Sequence, residues 1–251
     1  KKKYNFKIKR EINMLILSWN CNGAFRKKFK QIIEYDCDVM IIQECENPNE
    51  VQFPKEFESL MPHFIWVGDN KNKGLAVFSK YKLKDNLWDS GGNKYFISCR
   101  VNDSFHILGV WCHYANSPTF GYIGQMWKYL QLNKDNIRDK DIIIGGDFNS
   151  NRMWDVWDRW WNHSDVFNEL KELGIKSLYH LYYNEEQGKE TRPTLYHRKN
   201  TEKAYHVDYI LASKTFYNSL SKFEIGNPQK WLSASDHMPI FVEIKTNKYV
   251  L

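Results

Sequence analysis

The sequence lacks several features that would narrow its class at once. No apolar stretch reaches the roughly 18 residues that a membrane-spanning helix needs, and no secretory signal is visible. The cysteines number five, and no two of them form a CxxC pair. Most of them stand inside apolar runs. This usage favours buried free thiols in a reducing compartment over a disulfide framework, so we expect a cytoplasmic protein.

Low-complexity segments, internal repeats and linkers are also missing. A length of 251 residues favours one large domain over two small ones, and we assign residues 14–251 to it. Residues 1–13 are set apart by charge, because six of the first ten residues are Lys or Arg. There Tyr4, Phe6 and Ile8 alternate with polar residues. The pattern indicates a basic edge strand or a flexible arm; the alternative is a solvated tail that binds nothing.

What the sequence does contain is a series of strand-length apolar runs rich in Val, Ile, Phe and Tyr. They cover residues 14–19, 38–43, 64–67, 75–79, 95–101, 105–111, 141–145, 205–212 and 239–244. Helical spacing of apolar residues appears in segments 25–33, 123–130 and 166–173, the last ended by Gly174. Because strands outnumber helices and often follow one another directly, part of the sheet must be antiparallel.

Polar side chains stand at the ends of several of these runs, where a folded sheet can aim them at one cleft. A single strand-end Asp or Asn is more often a turn former, so the ordered set matters. The set is Asn20, Asn22, Glu44, Asp147, Asn149, His206, Asp208, Asp236 and His237. Its carboxylates suit Mg²⁺, a hard cation that prefers oxygen ligands. A zinc site is disfavoured, because no two His or Cys residues stand at ligand spacing with a third nearby.

The blocks that carry these residues resemble the endonuclease/exonuclease/phosphatase superfamily, which includes deoxyribonuclease I and the exonuclease III-like abasic-site endonucleases. They are WNCNG at 19–23, QE at 43–44, GGDFNS at 145–150, HVDYIL at 206–211 and SDHMPI at 235–240. The matching region spans nearly the whole chain. The resemblance implies an α/β fold, a four-layer α/β/β/α sandwich of two mostly antiparallel mixed sheets flanked by helices. The active site would lie at one edge of the sheets.

The resemblance also implies a metal site. Glu44 corresponds to the principal metal ligand of the superfamily, Asn20 to an asparagine beside the metal and the phosphate, and Asp236 to an aspartate near the metal. The implied cofactor is Mg²⁺ or Mn²⁺. Asn22 departs from the pattern, because abasic-site endonucleases carry an aspartate at this position, and the loss of that charge would weaken a metal contact.

The implied catalytic residues come from the remaining blocks. Asp147 and Asn149 correspond to the pair that orients the attacking water and stabilises the transition state. His237 corresponds to the catalytic histidine, and Asp208 to the aspartate that hydrogen-bonds it. His113 falls where relatives place a tyrosine or histidine on the phosphate. Whether the aspartate or the histidine accepts the proton of water stays open.

Further residues are candidates for substrate contact: Asn22, Asn116, His206, Arg192 and Arg198. Asn116 falls where some relatives place a phosphate contact. Arg192 and Arg198 belong to a basic and aromatic segment ahead of the HVDYIL block, for which a solvated loop is an equal alternative.

Four tryptophans in the segment 153–161 directly follow the GGDFNS block. On a helix Trp154, Trp157 and Trp161 would share one face. Such a face predicts either a packed helix that covers the sheet edge or a wedge or stacking platform for bases. Trp154 and Trp157 are therefore included among the candidate substrate contacts.

We expect a phosphodiester hydrolase, a nuclease with DNA as its partner. The basic balance, a net charge of +6, and the aromatic segment favour this interpretation. The alternative is a phosphodiesterase or phosphatase for a phospholipid or a small phosphorylated metabolite, because exposed tryptophans also suit a membrane interface. A non-catalytic binding protein is a third alternative, and the retained acidic and histidine residues argue against it.

Overall fold

The computed structural model describes residues 11–114, 117 and 119–247. In this part of the chain the strands are β1 (Glu11–Asn20), β2 (Val39–Cys45), β3 (His63–Asn70), β4 (Lys73–Ser79), β5 (Leu83–Asp85), β6 (Phe96–Val101), β7 (Phe105–Trp111), β8 (Ile142–Asp147), β9 (Lys176–Ser177), β10 (Leu195–Tyr196), β11 (Ala204–Tyr205), β12 (Asp208–Ala212), β13 (Leu220–Ile225) and β14 (Ile240–Asn247). The α-helices are α1 (Phe25–Lys28), α2 (Lys30–Ile33), α3 (Lys55–Leu60), α4 (Ile123–Ile137), α5 (His163–Glu172), α6 (Leu178–Tyr183), α7 (Lys214–Tyr217) and α8 (Pro228–Trp231).

Two six-stranded sheets form the centre of the molecule. One has the order β13-β14-β1-β2-β4-β3, and the other has the order β5-β6-β7-β8-β12-β9. The pairs β1–β2 and β7–β8 are parallel, and the other pairs within these sheets are antiparallel. The mostly antiparallel mixed sheets expected from the sequence are confirmed.

Three separate apolar clusters show that the sheets and helices form four layers. The middle cluster contains Ile41 and Ile143 and lies between the sheets. An outer cluster joins Ile42 to the phenylalanines of α1 and α3, and another joins Ile144 to α4 and α5. Because neighbouring residues of a strand point to opposite faces, a strand buried on both faces reads as an unbroken apolar run.

Most predicted runs coincide with strands, with three differences. The run 205–212 divides between β11 and β12, the helical segment 25–33 divides between α1 and α2, and β1 starts earlier than expected. Residues 11–13 belong to β1, which pairs with β14 along its length, so the strand begins ahead of residue 14. The rest of the predicted basic arm, residues 1–10, lies outside the described residues. All five cysteines are buried free thiols, as expected. None of the helices in the described ranges has the length and hydropathy that crossing a bilayer requires.

Candidate active site

Strand ends bring the predicted site residues to one edge of the two packed sheets. β1 and β2 are parallel, so Asn20 and Gln43 stand side by side, and Glu44 follows. In the other sheet β8 and β12 are antiparallel, and Asp147 pairs directly with Asp208. The side-chain amide of Asn20 donates a 3.0 Å hydrogen bond to Asp147 Oδ2, which links the two sheets at this edge.

A hydrogen-bonded histidine and aspartate stand at the centre of this edge. Nδ1 of His237 lies 2.9 Å from Asp208 Oδ2, and both side chains are buried. The other ring nitrogen, Nε2, lies 4.0 Å from Asp147 Oδ2. Burial works to lower the pKa of His237, but the charges of Asp208 and Asp147 outweigh it and raise the pKa well above its ordinary value. The charged form of the ring is therefore favoured between these two carboxyl groups.

Asp147 is fully buried and surrounded by hydrogen-bond donors. Its Oδ2 accepts from the side-chain amides of Asn20 at 3.0 Å and Asn149 at 2.9 Å, and its Oδ1 accepts from the backbone N–H of Asn149 at 2.8 Å. Burial nevertheless raises the pKa of Asp147 above its ordinary value. Gly146 allows β8 to approach β7 here, because a Cβ atom would lie 1.8 Å from the carbonyl oxygen of Val110.

Glu44 occupies a β-bulge at the end of β2. Its neighbours Gln43 and Cys45 pair with consecutive residues of β4, so Glu44 is the extra residue, with a φ of 59°. Bulges of this kind redirect a side chain next to active sites. The Glu44 carboxylate lies 3.5 Å from the Asn20 amide through Oε1 and 3.0 Å from the Lys73 ammonium through Oε2.

These side chains fit a hard divalent cation. Within the described ranges, one group of three acidic or histidine residues has ligand atoms within 4.8 Å of one another, namely Asp147, Asp208 and His237. Because His237 and Asp208 already bond each other, that group is better described as a hydrogen-bonded chain. Glu44 offers a partly exposed carboxylate that already attracts a cationic group, Lys73. Oxygen donors of this kind are those that Mg²⁺ and Mn²⁺ prefer.

Two more predicted site residues border this cluster: Asn22, a predicted substrate contact, and Asp236, a residue predicted near the metal. Asn22 is exposed, and its backbone N–H donates to Asn20 Oδ1 at 3.1 Å, which turns the amide N–H₂ of Asn20 toward Asp147 and Glu44. Asp236 is partly exposed next to His237, whose pKa its charge helps to raise. Asn22 therefore orients Asn20 through a hydrogen bond, and Asp236 affects the protonation of His237 through its charge.

His113 lies beside the cleft, on the segment that follows β7. Its ring contacts Trp111 and Tyr95 edge-on, with centroid distances of 5.2 and 5.5 Å. Burial against these rings and the nearby charge of Lys73 lower the pKa of His113, so neutral imidazole is favoured. Asn116, predicted to contact the phosphate, lies outside the described residues.

The structure places His206, predicted to contact substrate, in the interior. His206 is 4% exposed, and its Nδ1 hydrogen-bonds the carbonyl oxygen of Arg192 at 2.8 Å. Its ring packs against Tyr179 and Tyr209, with centroid distances of 4.3 and 4.9 Å. Residue 206 precedes β12 instead of belonging to it, so the alternation that would place its side chain beside that of Asp208 does not apply.

The two predicted arginine contacts have different surroundings. Arg192 is half-exposed, pairs with Glu185 at 2.7 Å and lies 3.9 Å over the ring of Tyr183. Arg198 is exposed at the tip of the hairpin of β10 and β11, in a left-handed conformation with a φ of 54°. The hairpin is bound to the site, because Tyr196 donates its backbone N–H to the carbonyl oxygen of Asp236 at 2.8 Å.

The predicted tryptophan helix does not form. Arg152–Trp154 make one 3₁₀ turn, and residues 155–162 make a loop that we call the tryptophan loop. Asp155 accepts the backbone N–H of His163 at 2.9 Å at the start of α5, and Asn162 donates to the carbonyl oxygens of Val156 and Arg159. These side-chain bonds to the backbone compete with helix formation.

The tryptophans divide between the surface and the interior. Trp157 is 97% exposed, whereas Trp161 is 9% exposed and packs against Phe120 at a centroid distance of 4.7 Å. Trp160 is also largely exposed, and Trp154 is partly exposed against Tyr205. The loop therefore holds an aromatic surface in place, in the segment of the chain that follows β8 and Asp147.

Sequence reasoning missed two hydroxyl groups that support the site. Thr194 is fully buried, and its Oγ1 accepts the backbone N–H groups of Val207 and Asp208, each at 3.0 Å. Ser235 Oγ accepts the backbone N–H of His237 at 3.0 Å and donates to the Asn20 carbonyl oxygen at 2.8 Å. The position of Ser235 inside the SDHMPI block was a usable signal, whereas Thr194 had none beyond a hydroxyl beside an apolar residue.

Comparison with known proteins agrees with this geometry. A sequence search finds no significant match among curated proteins. Among solved structures, a 3′ phosphatase, NExo, from Neisseria, bound to a product DNA hairpin, is 20% identical, with 92% of this chain and 99% of that chain covered and a TM-score of 0.71. A 3′-5′ exonuclease from Neisseria meningitidis is 19% identical over 92% and 99% of the two chains, with a TM-score of 0.68.

An AP endonuclease from Archaeoglobus fulgidus is 16% identical, with the same coverage of 92% and 99% and a TM-score of 0.73. At these identities the structures establish a shared fold. The profile of the Endonuclease/Exonuclease/phosphatase family matches residues 17–237, which include four of the five blocks and the first three residues of the fifth. The chain belongs to the Endonuclease/Exonuclease/phosphatase family.

Proposed function

We propose that the chain is a divalent-metal-dependent phosphodiester hydrolase, a nuclease that acts on DNA. The observation that carries the proposal is the buried pair of His237 and Asp208 facing Asp147 at the sheet edge. Family membership supports phosphoester hydrolysis. DNA as the substrate is supported by the surfaces on either side of this edge and by the DNA hairpin in the Neisseria phosphatase structure.

The raised pKa of His237 suggests which residue accepts the proton of water. A histidine that is protonated at neutral pH donates a hydrogen bond and is unsuited to act as a base. Its Nε2 can then stabilise a phosphate oxygen as negative charge grows. Asp147, whose pKa burial raises, is the better acceptor, and Asn149 fixes the orientation of its carboxylate. Water oxygen bonds to phosphorus as the P–O bond to the leaving group breaks. The water proton passes to Asp147, and the leaving oxygen takes up a proton from the solvent.

The metal would be held by Glu44, with Asn20 and Asp236 nearby. A divalent cation bound there neutralises negative charge on the phosphate. His113, which is favoured in its neutral form, would contact a phosphate oxygen from the other side of the cleft. We assign Asn22 and Asn116 to further phosphate contact, and His206 to support of the Arg192 segment.

The surface around the site suits a nucleic acid. On one side the tryptophan loop presents Trp157, with Trp154 nearer the interior, and aromatic side chains of this kind stack on bases. On the other side Lys28 binds the carbonyl oxygen of Cys21 at 2.7 Å, and Lys199 binds that of Ser233 at 3.1 Å. These lysines flank the loops that carry Asn20 and His237, and positive charge placed there attracts a phosphate backbone. Arg198 and Arg192 extend the basic surface.

The test is hydrolysis by the purified protein with Mg²⁺ or Mn²⁺. The substrates are plasmid, single-stranded DNA, abasic duplex, DNA with a 3′ phosphate, RNA and sphingomyelin. We expect cleavage of a DNA substrate. Glu44→Gln should lower the rate roughly 100-fold or more, because it removes a charged ligand. Glu50→Gln, on the exposed loop after β2, is the matched control and should keep the parent rate.

Two results would contradict the proposal. Full activity in excess chelator would remove the metal from the mechanism. Hydrolysis of sphingomyelin or of a small phosphate ester, with every nucleic acid left intact, would favour the phospholipid or metabolite alternative.

A further inference from the structure

One ammonium group stands directly at the proposed metal ligand. Lys73 Nζ lies 3.0 Å from Glu44 Oε2, and the lysine side chain is 50% exposed. The same Nζ lies 5.6 Å from the ring centroid of Trp111, and its charge acts on His113. Lys73 therefore lies between the Glu44 carboxylate and the ring of Trp111, which contacts His113.

The strand register fixes this placement. Lys73 is the first residue of β4, next to Gly74, and Gly74 pairs with Cys45 immediately after the bulge at Glu44. A side chain at Gly74 would collide with the ring of Trp66, since a Cβ atom would lie 2.5 Å from it. The hairpin of β3 and β4 is thus closely packed at Lys73, and the flexible part of this site is the long side chain of Lys73.

A divalent cation bound to the Glu44 carboxylate would repel the Lys73 ammonium beside it and compete with it for the same negative charge. We propose, on the basis of the function proposed above, that Lys73 neutralises Glu44 until a divalent cation binds this carboxylate. The freed ammonium then turns to a phosphate group of the substrate. The long flexible stem suits this motion, because lysine carries a point charge without a fixed bonding geometry. The metal and the substrate are thereby coupled through one side chain.

The experiment is a calorimetric titration of the whole protein with Mg²⁺, without substrate, on Lys73→Met, Lys73→Arg and Lys94→Met. Lys73→Met should bind Mg²⁺ about threefold to fivefold more tightly, because a competing cation is removed. Lys73→Arg keeps the charge and should stay near the parent. Lys94 is the matched control, since it makes a comparable exposed ion pair with Asp69 at 2.7 Å and should leave the affinity unchanged.

Steady-state kinetics test the second half of the proposal. For the DNA substrate that the parent cleaves, Lys73→Met at saturating Mg²⁺ should raise KM several-fold with little change in kcat, which is the signature of lost phosphate binding. Unchanged Mg²⁺ affinity in Lys73→Met, an equal change in Lys94→Met, or an unchanged KM would overturn the proposal. The calorimetric result does not depend on turnover, so it separates this proposal from the proposed function.

Discussion

Asp208 accepts a hydrogen bond from Nδ1 of His237 and thereby decides which ring nitrogen faces the cleft. The same contact raises the pKa of His237, and the charge of Asp147 adds to the effect. At the scale of single residues the site is therefore an electrostatic unit, in which a change at one member alters the protonation of the others.

Substitution of this pair gives the first prediction. His237→Ala should lower the turnover rate by roughly 10²–10⁴, the range that general acid–base groups supply. Asp208→Asn keeps a hydrogen-bond acceptor but removes the negative charge, so the pKa of His237 should fall and the alkaline limb of the pH–rate profile should move to lower pH. Melting curves of both variants establish whether the fold is intact. Parent-like rates and pH profiles would show that these residues do not serve the reaction.

The segment before β12 shows how an element is held by one hydroxyl group. Thr194 Oγ1 accepts two backbone N–H groups at the start of β12, and the Thr194 carbonyl oxygen accepts the N–H of Met238 at 2.7 Å. The segment thereby holds together the strand that carries Asp208 and the loop that carries His237.

Thr194→Val should separate this support from catalysis. The variant keeps the shape but leaves two buried N–H groups without an acceptor, so we expect a loss of about 1–3 kcal/mol in the free energy of unfolding. Turnover should also fall, because Asp208 loses its support. Thr194→Ser keeps the hydroxyl and should retain both properties. Urea denaturation with a parallel activity assay measures the two effects, and an unaffected Thr194→Val would refute this role.

The tryptophan loop explains where sequence reasoning failed at the scale of elements. The spacing of Trp154, Trp157 and Trp161 imitates a helix face, but Asp155 and Asn162 bond the backbone locally and end helical structure between them. The blocks at strand ends were predictable because apolar runs and a resemblance both marked them. The loop was not, because its conformation depends on side-chain bonds that periodicity does not record.

Exposed and buried tryptophans of this loop should respond differently to truncation. Trp157→Ala should weaken DNA binding by roughly 1–3 kcal/mol, the value of one stacked base, with little change in thermal stability. Trp161→Ala should instead destabilise the fold by about 3–5 kcal/mol. The measurements are DNA titrations at low and high salt and a melting curve for each variant. Parent-like DNA affinity in Trp157→Ala would exclude the stacking role.

At the scale of the whole molecule, the resemblance predicted the four layers that composition alone left open. Periodicity identified the central strands, because these are buried on both faces. It missed β13, Leu220–Ile225, which has mixed exposure and, within the described residues, pairs with β14 alone at the edge of its sheet. An edge strand carries a diluted apolar signal, so its pairing follows from the fold around it and not from its own sequence.

Buried histidines couple the stability of the whole molecule to pH. His163 is fully buried, and its ring stacks on Phe167 with a centroid distance of 4.0 Å. Burial lowers the pKa of His163 to about 3. In the unfolded chain the same group titrates near its ordinary value of 6.5, so the unfolded state binds a proton between these two values that the folded state does not. The buried, neutral His163 ring therefore makes its full contribution to the stability of the fold above pH 6.5, and this contribution is lost as the pH falls toward about 3.

Because the unfolded state binds one more proton, the free energy of unfolding should fall by about 1.4 kcal/mol per pH unit in this range. The loss amounts to about 2 kcal/mol at pH 5. His206 is also buried with a lowered pKa and adds to the slope in the same direction. His163→Phe cannot take up this proton, so its free energy of unfolding should fall less between about pH 7 and about pH 5 than that of the parent. Urea denaturation at both pH values measures the difference in slope, which does not depend on any constant cost of the substitution. Equal slopes in parent and variant would show that His163 accepts a proton in the folded state as readily as in the unfolded chain.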